Sequence, residues 1–410
     1  MLQPVSVAQK HLSDYASIVG RQLVDEIRER ASRLAGKRIL HLSATAFGGG
    51  VSEILYTLVP LMLDVGLDVE WDVIYGREEF FKTTKVMHNA LQGSPQDLTE
   101  AEWATWRHYN EINARQLAGG WDVCIIHDPQ PAAIPSLVGE RAHQWIWRCH
   151  IDLSTPNPET LTRLMPYLEP YAGAVFHVPA YVPPGMDGRA HMVPPAIDPL
   201  APKNMAFSTD DAVYICEQFG IDVERPLLCQ VSRFDPWKDP LGVIDAYRIV
   251  KEEMPDVQLA LVGSMATDDP EGWDYFNATV AHADGDPDIH ILNNLNNVGA
   301  IEVNAFQSHC DVAIQKSTRE GFGLTVTEAI WKARPFIGGD VGGIPLQISD
   351  GETGFLVSSV EQCAARALEI LSDPGLGRRL GRAGKESARQ KFLTPRLLRD
   401  WLELFEDIEA

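Results

Sequence analysis

The sequence predicts an α/β protein built from two doubly wound domains, and three observations carry that expectation. The first is a strand, glycine run and helix near the start. Residues 38–43 read as a strand, Gly48, Gly49 and Gly50 follow, and an amphipathic helix runs to about Val65. The second is a Pro-rich stretch at 193–199, a stiff connection after which a second alternation of strands and helices begins. The third is residues 310–334, where a short apolar strand, a turn through Gly321, Phe322 and Gly323, and a helix closed by Pro335 repeat the unit. A chain of 410 residues with 45% hydrophobic content can furnish two cores.

In chain order, residues 1–36 read as polar helix, with Ile18, Leu23, Ile27 and Leu34 at helical spacing. Strands follow at 38–43, 69–74 and 121–127, with helical stretches at 78–99 and 100–118. Further strands are expected at 144–152 and 174–177. Polar residues close these apolar runs: His127 and Asp128 with Gln130 beyond, then Arg148, His150 and Asp152, then His177. Ligands of a doubly wound sheet bind at the carboxyl ends of its strands. A histidine there is either a structural hydrogen-bonder or part of a crevice, and the glycine run is either a ligand loop or a flexible one. The second half shows strands at 227–231, 258–263, 289–292, 310–315, 335–339 and 354–357, and ends in a helix at 394–409. In the turn after 227–231, Arg233 and Lys238 lie five apart. They read as a phosphate clamp, a planar fork beside a mobile point charge, or as two solvated surface charges.

The stretch 316–334 carries the clearest chemistry. Glu320 falls in the turn and Glu328 nearly two turns into the helix. Two glutamates eight apart mean little alone, but Gly321 and Gly323 permit close approach of backbone to a ligand. A helix start suits an anion, and carboxylates accept hydrogen bonds from hydroxyls. Phosphates at the helix end and hydroxyls at both glutamates describe a nucleotide sugar.

Composition narrows the partners. A net charge of -22, from 35 Lys+Arg against 57 Asp+Glu, argues against nucleic acid and against an anionic membrane surface. Any phosphate site is then a local basic feature. The six cysteines are scattered without a CxxC pair, the pattern of buried free thiols in a reducing compartment. No basic leader precedes an apolar core and no apolar run reaches membrane-spanning length, so a cytoplasmic location is expected.

Residues 47–53, 147–152, 232–239 and 315–329 resemble the retaining GT-B glycosyltransferases of family four, and the resemblance covers nearly the whole chain. Within that family it is nearest to the subgroup that joins glucose from a nucleoside-diphosphate glucose to free glucose, giving α,α-trehalose. The resemblance implies two Rossmann-like domains facing a cleft: 1–197 for the acceptor, with a helix at 386–410 crossing back to it, and 198–385 for the donor. Carried over, Arg233 and Lys238 hold the departing diphosphate with the amides of Leu324 and Thr325. Glu328 takes the ribose hydroxyls, and Glu320, Gly321, Phe322 and Gly323 hold the donor glucose. The loop through Gly49 and Gly50 closes over the reacting centre. His150 contacts the transferred glucose, and Asp128, Gln130 and Arg148 serve the acceptor. No tightly bound cofactor is implied, no Asp-x-Asp stands out as a metal site, and any Mg²⁺ effect would be indirect. The expected partners are nucleotide sugar, glucose and trehalose, with a homodimer suggested by the resemblance alone. A trehalose phosphorylase, whose relatives usually carry extra sequence, and a non-catalytic nucleotide-sugar sensor are the competing readings.

Overall fold

The computed structural model describes residues 2–139, 141–265 and 270–409, in two compact units: Met1–Ala196 with Thr394–Ala410, and Ile197–Leu393. The first unit holds a seven-stranded sheet of β1 (Gln3–Pro4), β2 (Arg38–Ser43), β3 (Asp68–Val73), β4 (Trp121–His127), β5 (Ala142–Arg148), β6 (Gly173–Phe176) and β7 (Ala190–Met192). Their spatial order is β1-β3-β2-β4-β5-β6-β7, parallel except for β1. The second holds β8 (Leu227–Val231), β9 (Gln258–Gly263), β10 (Ile289–Asn293), β11 (Val312–Gln315), β12 (Phe336–Gly339) and β13 (Phe355–Val357). Their order is β10-β9-β8-β11-β12-β13, all parallel.

Parallel sheets of this kind are covered on both faces, so their strands are apolar almost throughout. Alternate residues enter opposite cores. Leu40, Leu42, Cys124, Ile126 and Trp147 join one cluster, while Ile39, Val123, Ile125 and Ile146 join the other. The second sheet repeats this, with Leu228, Leu261 and Ile314 on one side and Cys229, Val262 and Ala313 on the other. Both sheets are therefore doubly wound, as the sequence predicts.

Several boundaries differ from expectation. Residues 1–36 are not one helix: β1 pairs with β3, a 3₁₀ turn spans Leu12–Tyr15, and α-helix is confined to Ala16–Val19 and Arg21–Arg33, parted by Gly20 at φ +90°. Pro4 sits on the edge strand, where a missing N–H is tolerated. β5 stops at Arg148 rather than 152, because the His150 amide donates to the Asp128 side chain at 2.7 Å instead of to a ladder. Helices Pro158–Leu168 and Thr209–Gln218 were not expected, although Asn157 and Ser208 cap them. The returning segment is Thr394–Glu409 rather than 386–410. The preceding helix, Pro374–Lys391, belongs to the second unit, where Gly381 lies so close to the Ala333 carbonyl that a Cβ would come within 2.0 Å. The final helix packs on Arg21–Arg33 and Gly50–Asp64, burying Leu398, Trp401, Leu402 and Phe405, with Glu406 2.6 Å from Arg30.

Strand order reverses beside β2 in the first sheet and beside β8 in the second. The loops leaving β2 and β4, and those leaving β8 and β11, open at these switch points, where doubly wound sheets bind ligands.

Candidate active site

In the second unit, Asp235 Oδ1 accepts from the amides of Trp237 (3.0 Å) and Lys238 (3.2 Å), closing the short turn Pro236–Lys238 after β8. Gln230 Nε2 donates to the Lys238 carbonyl at 2.7 Å. The turn so fixed puts Lys238 Nζ 2.6 Å from Glu320 Oε2, in the loop after β11. Ser317 Oγ donates to the same oxygen at 3.2 Å. Lys238 and Glu320 are both mostly buried, whereas the Arg233 side chain is 62% exposed. Arg233 Nη2 lies 2.9 Å from Asp235 Oδ2, an ion-pair contact without hydrogen-bond alignment. Of the two cations read as a clamp, one is anchored on Glu320 and the other is open to solvent.

Glu320 leads into Gly321, Phe322 and Gly323. Gly323 adopts φ +84°, which admits glycine readily, and turns the chain into the helix Leu324–Trp331. Leu324 and Thr325 open that helix, and amides of a first turn have no intrahelical acceptor. Gln347 Nε2 donates to the Phe322 carbonyl at 2.6 Å and braces the loop from behind. Glu328 is the fifth residue of the helix, little over one turn in rather than nearly two, and is buried. Its Oε1 lies 3.1 Å from Lys203 Nζ, while its Oε2 is buried without a hydrogen-bond partner among the described residues. Lys332 donates to the Glu328 carbonyl at 3.1 Å, and burial pulls its ammonium down to about 8 against the opposing Glu328 charge. Lys203 and Gln347 carry no motif, and only folding brings them here.

In the first unit the loop after β2 turns at Gly48, φ +77°, and Gly49 precedes the helix Gly50–Asp64. Phe47 beside it is 77% exposed. After β4, Asp128 takes φ +63°; its amide donates to the Arg148 carbonyl at 2.9 Å and its carboxylate takes the His150 amide. Structure thus joins Asp128, Arg148 and His150. Gln130 gives its main-chain carbonyl to Asn110 Nδ2 at 3.0 Å and keeps a buried Oε1 without a hydrogen-bond partner among the described residues. Arg148 is buried and donates from Nη1 to the Phe176 carbonyl at 3.2 Å. Burial pulls its guanidinium down to about 9, still protonated at neutral pH.

Burial pushes the Asp128 carboxyl up to about 7 from an ordinary 3.8, with the His150 amide and Arg148 opposing. Between those values the folded protein holds more protons than the unfolded chain, so this group's contribution falls as pH rises through the window. Asp128→Asn is expected to flatten stability against pH between about 4 and 7. Urea unfolding at pH 5 and pH 7 checks it; an unchanged difference between the two pH values would contradict the assignment.

All six cysteines are buried thiols. Among the described residues, no helix is long and apolar enough to cross a membrane, and no cluster of three His, Cys, Asp or Glu could hold a metal ion. Asp284, Asp286 and Asp288 do have Asp-x-Asp spacing, but Lys251 Nζ binds Asp286 (2.8 Å) and Asp288 (2.9 Å), and Arg225 binds Asp288 (2.7 Å).

Residues 41–183 match the family described as trehalose synthase, N-terminal domain, and residues 215–387 match glycosyl transferases group 1. A trehalose synthase of Rubrobacter xylanophilus is 58% identical over 99% of each chain. A trehalose phosphorylase of Pleurotus pulmonarius is 28% identical, over 90% of this chain and 57% of that protein. The crystal structure of an α,α-trehalose-phosphate synthase (UDP-forming) from Burkholderia xenovorans in complex with glucose-6-phosphate superposes with a TM-score of 0.73 at 13% identity. It covers 92% of this chain and 100% of that one, and the likeness shows a GT-B fold.

Proposed function

The chain belongs to the trehalose synthase family of GT-B glycosyltransferases, and from that premise we propose that it transfers glucose from a nucleoside-diphosphate glucose to free glucose, forming α,α-trehalose. The observation that carries the donor assignment is Lys238, in the turn after β8, held on Glu320 in the loop that leads into the helix N-terminus at Leu324, so that a cation from one loop lies beside the loop that opens this helix. A nucleotide sugar supplies a diphosphate for that charge and hydroxyls for the carboxylates.

In this reading, the bond from glucose C1 to the diphosphate oxygen breaks with its electron pair on the phosphate. Lys238, Arg233 and the amides of Leu324 and Thr325 stabilise that charge. The acceptor hydroxyl attacks C1 from the same face and passes its proton to the departing phosphate oxygen. Glu320, with Gly321, Phe322 and Gly323, holds the glucose, so it is a positioning acceptor rather than a nucleophile. The unpartnered Oε2 of Glu328 suits a ribose hydroxyl. Gly49 and Gly50 cover the sugar, His150 contacts it, and Asp128, Gln130 and Arg148 serve the acceptor.

Glu328→Gln keeps the shape and loses the charge-assisted hydrogen bond. The KM for the nucleotide sugar is expected to rise about tenfold with a smaller change in kcat. Steady-state kinetics with the donor varied reads this, and an unchanged KM would remove the ribose assignment.

The deciding experiment is product chromatography with glucose plus UDP-, ADP- or GDP-glucose in separate reactions, and trehalose plus phosphate in another. Trehalose formed only with a nucleotide donor supports the proposal and identifies the base. Glucose 1-phosphate formed from trehalose and phosphate without nucleotide would establish the phosphorylase instead. Tight nucleotide binding without turnover would mark a sensor.

A further inference from the structure

Four histidines stand at the carboxyl ends of four neighbouring strands of the first sheet: His41 on β2, His127 on β4, His150 just after β5 and His177 just after β6. Three are linked ring to ring. His41 Nδ1 lies 3.0 Å from His127 Nε2, and His127 Nδ1 lies 2.9 Å from His150 Nε2. The first pair of rings is stacked at 27° and the second at 20°, while His177 meets His150 edge-on at 5.9 Å. Strand alternation aligns them, since His41, His127 and His177 continue the parity of Ile39, Ile125 and Val175, which share one core. Trp401 of the final helix closes the inner end against His41 at 6.1 Å. Burial falls along the row, from His41 and His127, which are buried, to His150, which is partly open.

A neutral imidazole has one donor nitrogen and one acceptor nitrogen. Burial holds His41 down to about 3; burial and neighbouring positive charge hold His127 and His150 well below the ordinary range. His127 uses both nitrogens, so it donates to one neighbour and accepts from the other, and one choice of proton position runs through all three rings. The inner end decides it. His41 Nε2 is buried without a hydrogen-bond partner among the described residues, and an orphaned buried N–H is rarer than an under-used acceptor. His41 then carries its proton on Nδ1 and donates to His127, which donates from Nδ1 to His150 Nε2. His150 is left with its proton on Nδ1, the ring nitrogen that no described residue engages. Its backbone is fixed by the bond to Asp128.

We propose that His41 and His127 are positioning residues that hold His150 as a neutral N–H donor to an oxygen of the transferred glucose. This rests on the reading of His150 as a sugar contact. A neutral donor fixes the sugar without adding positive charge beside a carbon that is gaining it.

Two measurements test the row. In histidine-selective ¹⁵N-labelled full-length protein at pH 7, long-range ¹H–¹⁵N correlation is expected to show His41, His127 and His150 neutral and protonated at Nδ1. His150 protonated at Nε2, or charged, would overturn the proposal without any variant being made. In kinetics, His127→Phe keeps a ring in the core and removes both bonds. Its kcat is expected to fall about 10- to 100-fold, with the KM for the nucleotide donor within about twofold. His127→Gln can still accept from one side and donate to the other, and it is expected to recover part of that loss at equal thermal stability. Wild-type turnover in His127→Phe beside a crippled His150→Ala would overturn the positioning role alone. Wild-type turnover in His150→Ala would overturn the sugar contact itself, and the role of the row with it.

Discussion

Lys238→Ala is expected to lower kcat about 10²- to 10³-fold, the effect of removing one preorganised group from a developing charge. That corresponds to roughly 2.7–4 kcal/mol in the barrier. The same substitution takes the ammonium from Glu320, which is 9% exposed, and breaking a buried pair costs about 3–5 kcal/mol of stability. The two losses can be separated. Combining Lys238→Ala with Glu320→Gln removes the buried charge along with its partner, so stability returns while turnover stays low. Denaturant unfolding and steady-state kinetics on the single and double variants read both quantities. Turnover within threefold of wild type in Lys238→Ala would sink the assignment of Lys238 to the diphosphate.

Gly343→Ala is expected to lower kcat/KM for the donor about 100-fold, although Gly343 itself makes no proposed contact with substrate. A Cβ there would lie 2.6 Å from the Gly321 carbonyl and 2.7 Å from Phe322 Cα. Both are backbone atoms of the turn that precedes the helix Leu324–Trp331, so no side-chain rotation relieves the clash and this turn must part from the backbone at Gly343. Displacement of about 1 Å in a positioning element costs on the order of 100-fold. Overpacking itself costs roughly 1–3 kcal/mol, so the variant should fold with a lowered Tm. Full activity with a lowered Tm would show that the turn does not position the donor. Gly351→Ala, at φ +75° with open space around its Cβ, is a control for backbone strain alone.

Much of the fold was legible in the chain because the signals are local. Arg38–Ser43, Trp121–His127 and Leu227–Val231 coincide with the apolar runs that predicted them, and glycine or polar turns end each run. Less was legible where a strand owes its end to a distant side chain, as with Asp128 and β5, or where a two-residue edge strand such as Gln3–Pro4 has no periodicity to show. The resemblance supplied Glu320, Glu328, Arg233 and Lys238 as one set. The structure separates that set into a buried pair, a buried carboxylate on Lys203 and an exposed guanidinium.

The sequence by itself determined the two doubly wound units, the family and the residue types at the strand ends. These follow from apolar alternation and from short motifs, and both are properties of neighbours along the chain. Only the tertiary structure decided which polar groups meet. Lys203 reaches Glu328, Gln347 braces Phe322, and His41, His127 and His150 join into one row because parallel strands far apart in sequence lie side by side. The physical reason is that a buried polar group must find a hydrogen-bond partner wherever the fold provides one, and sequence distance does not enter that requirement.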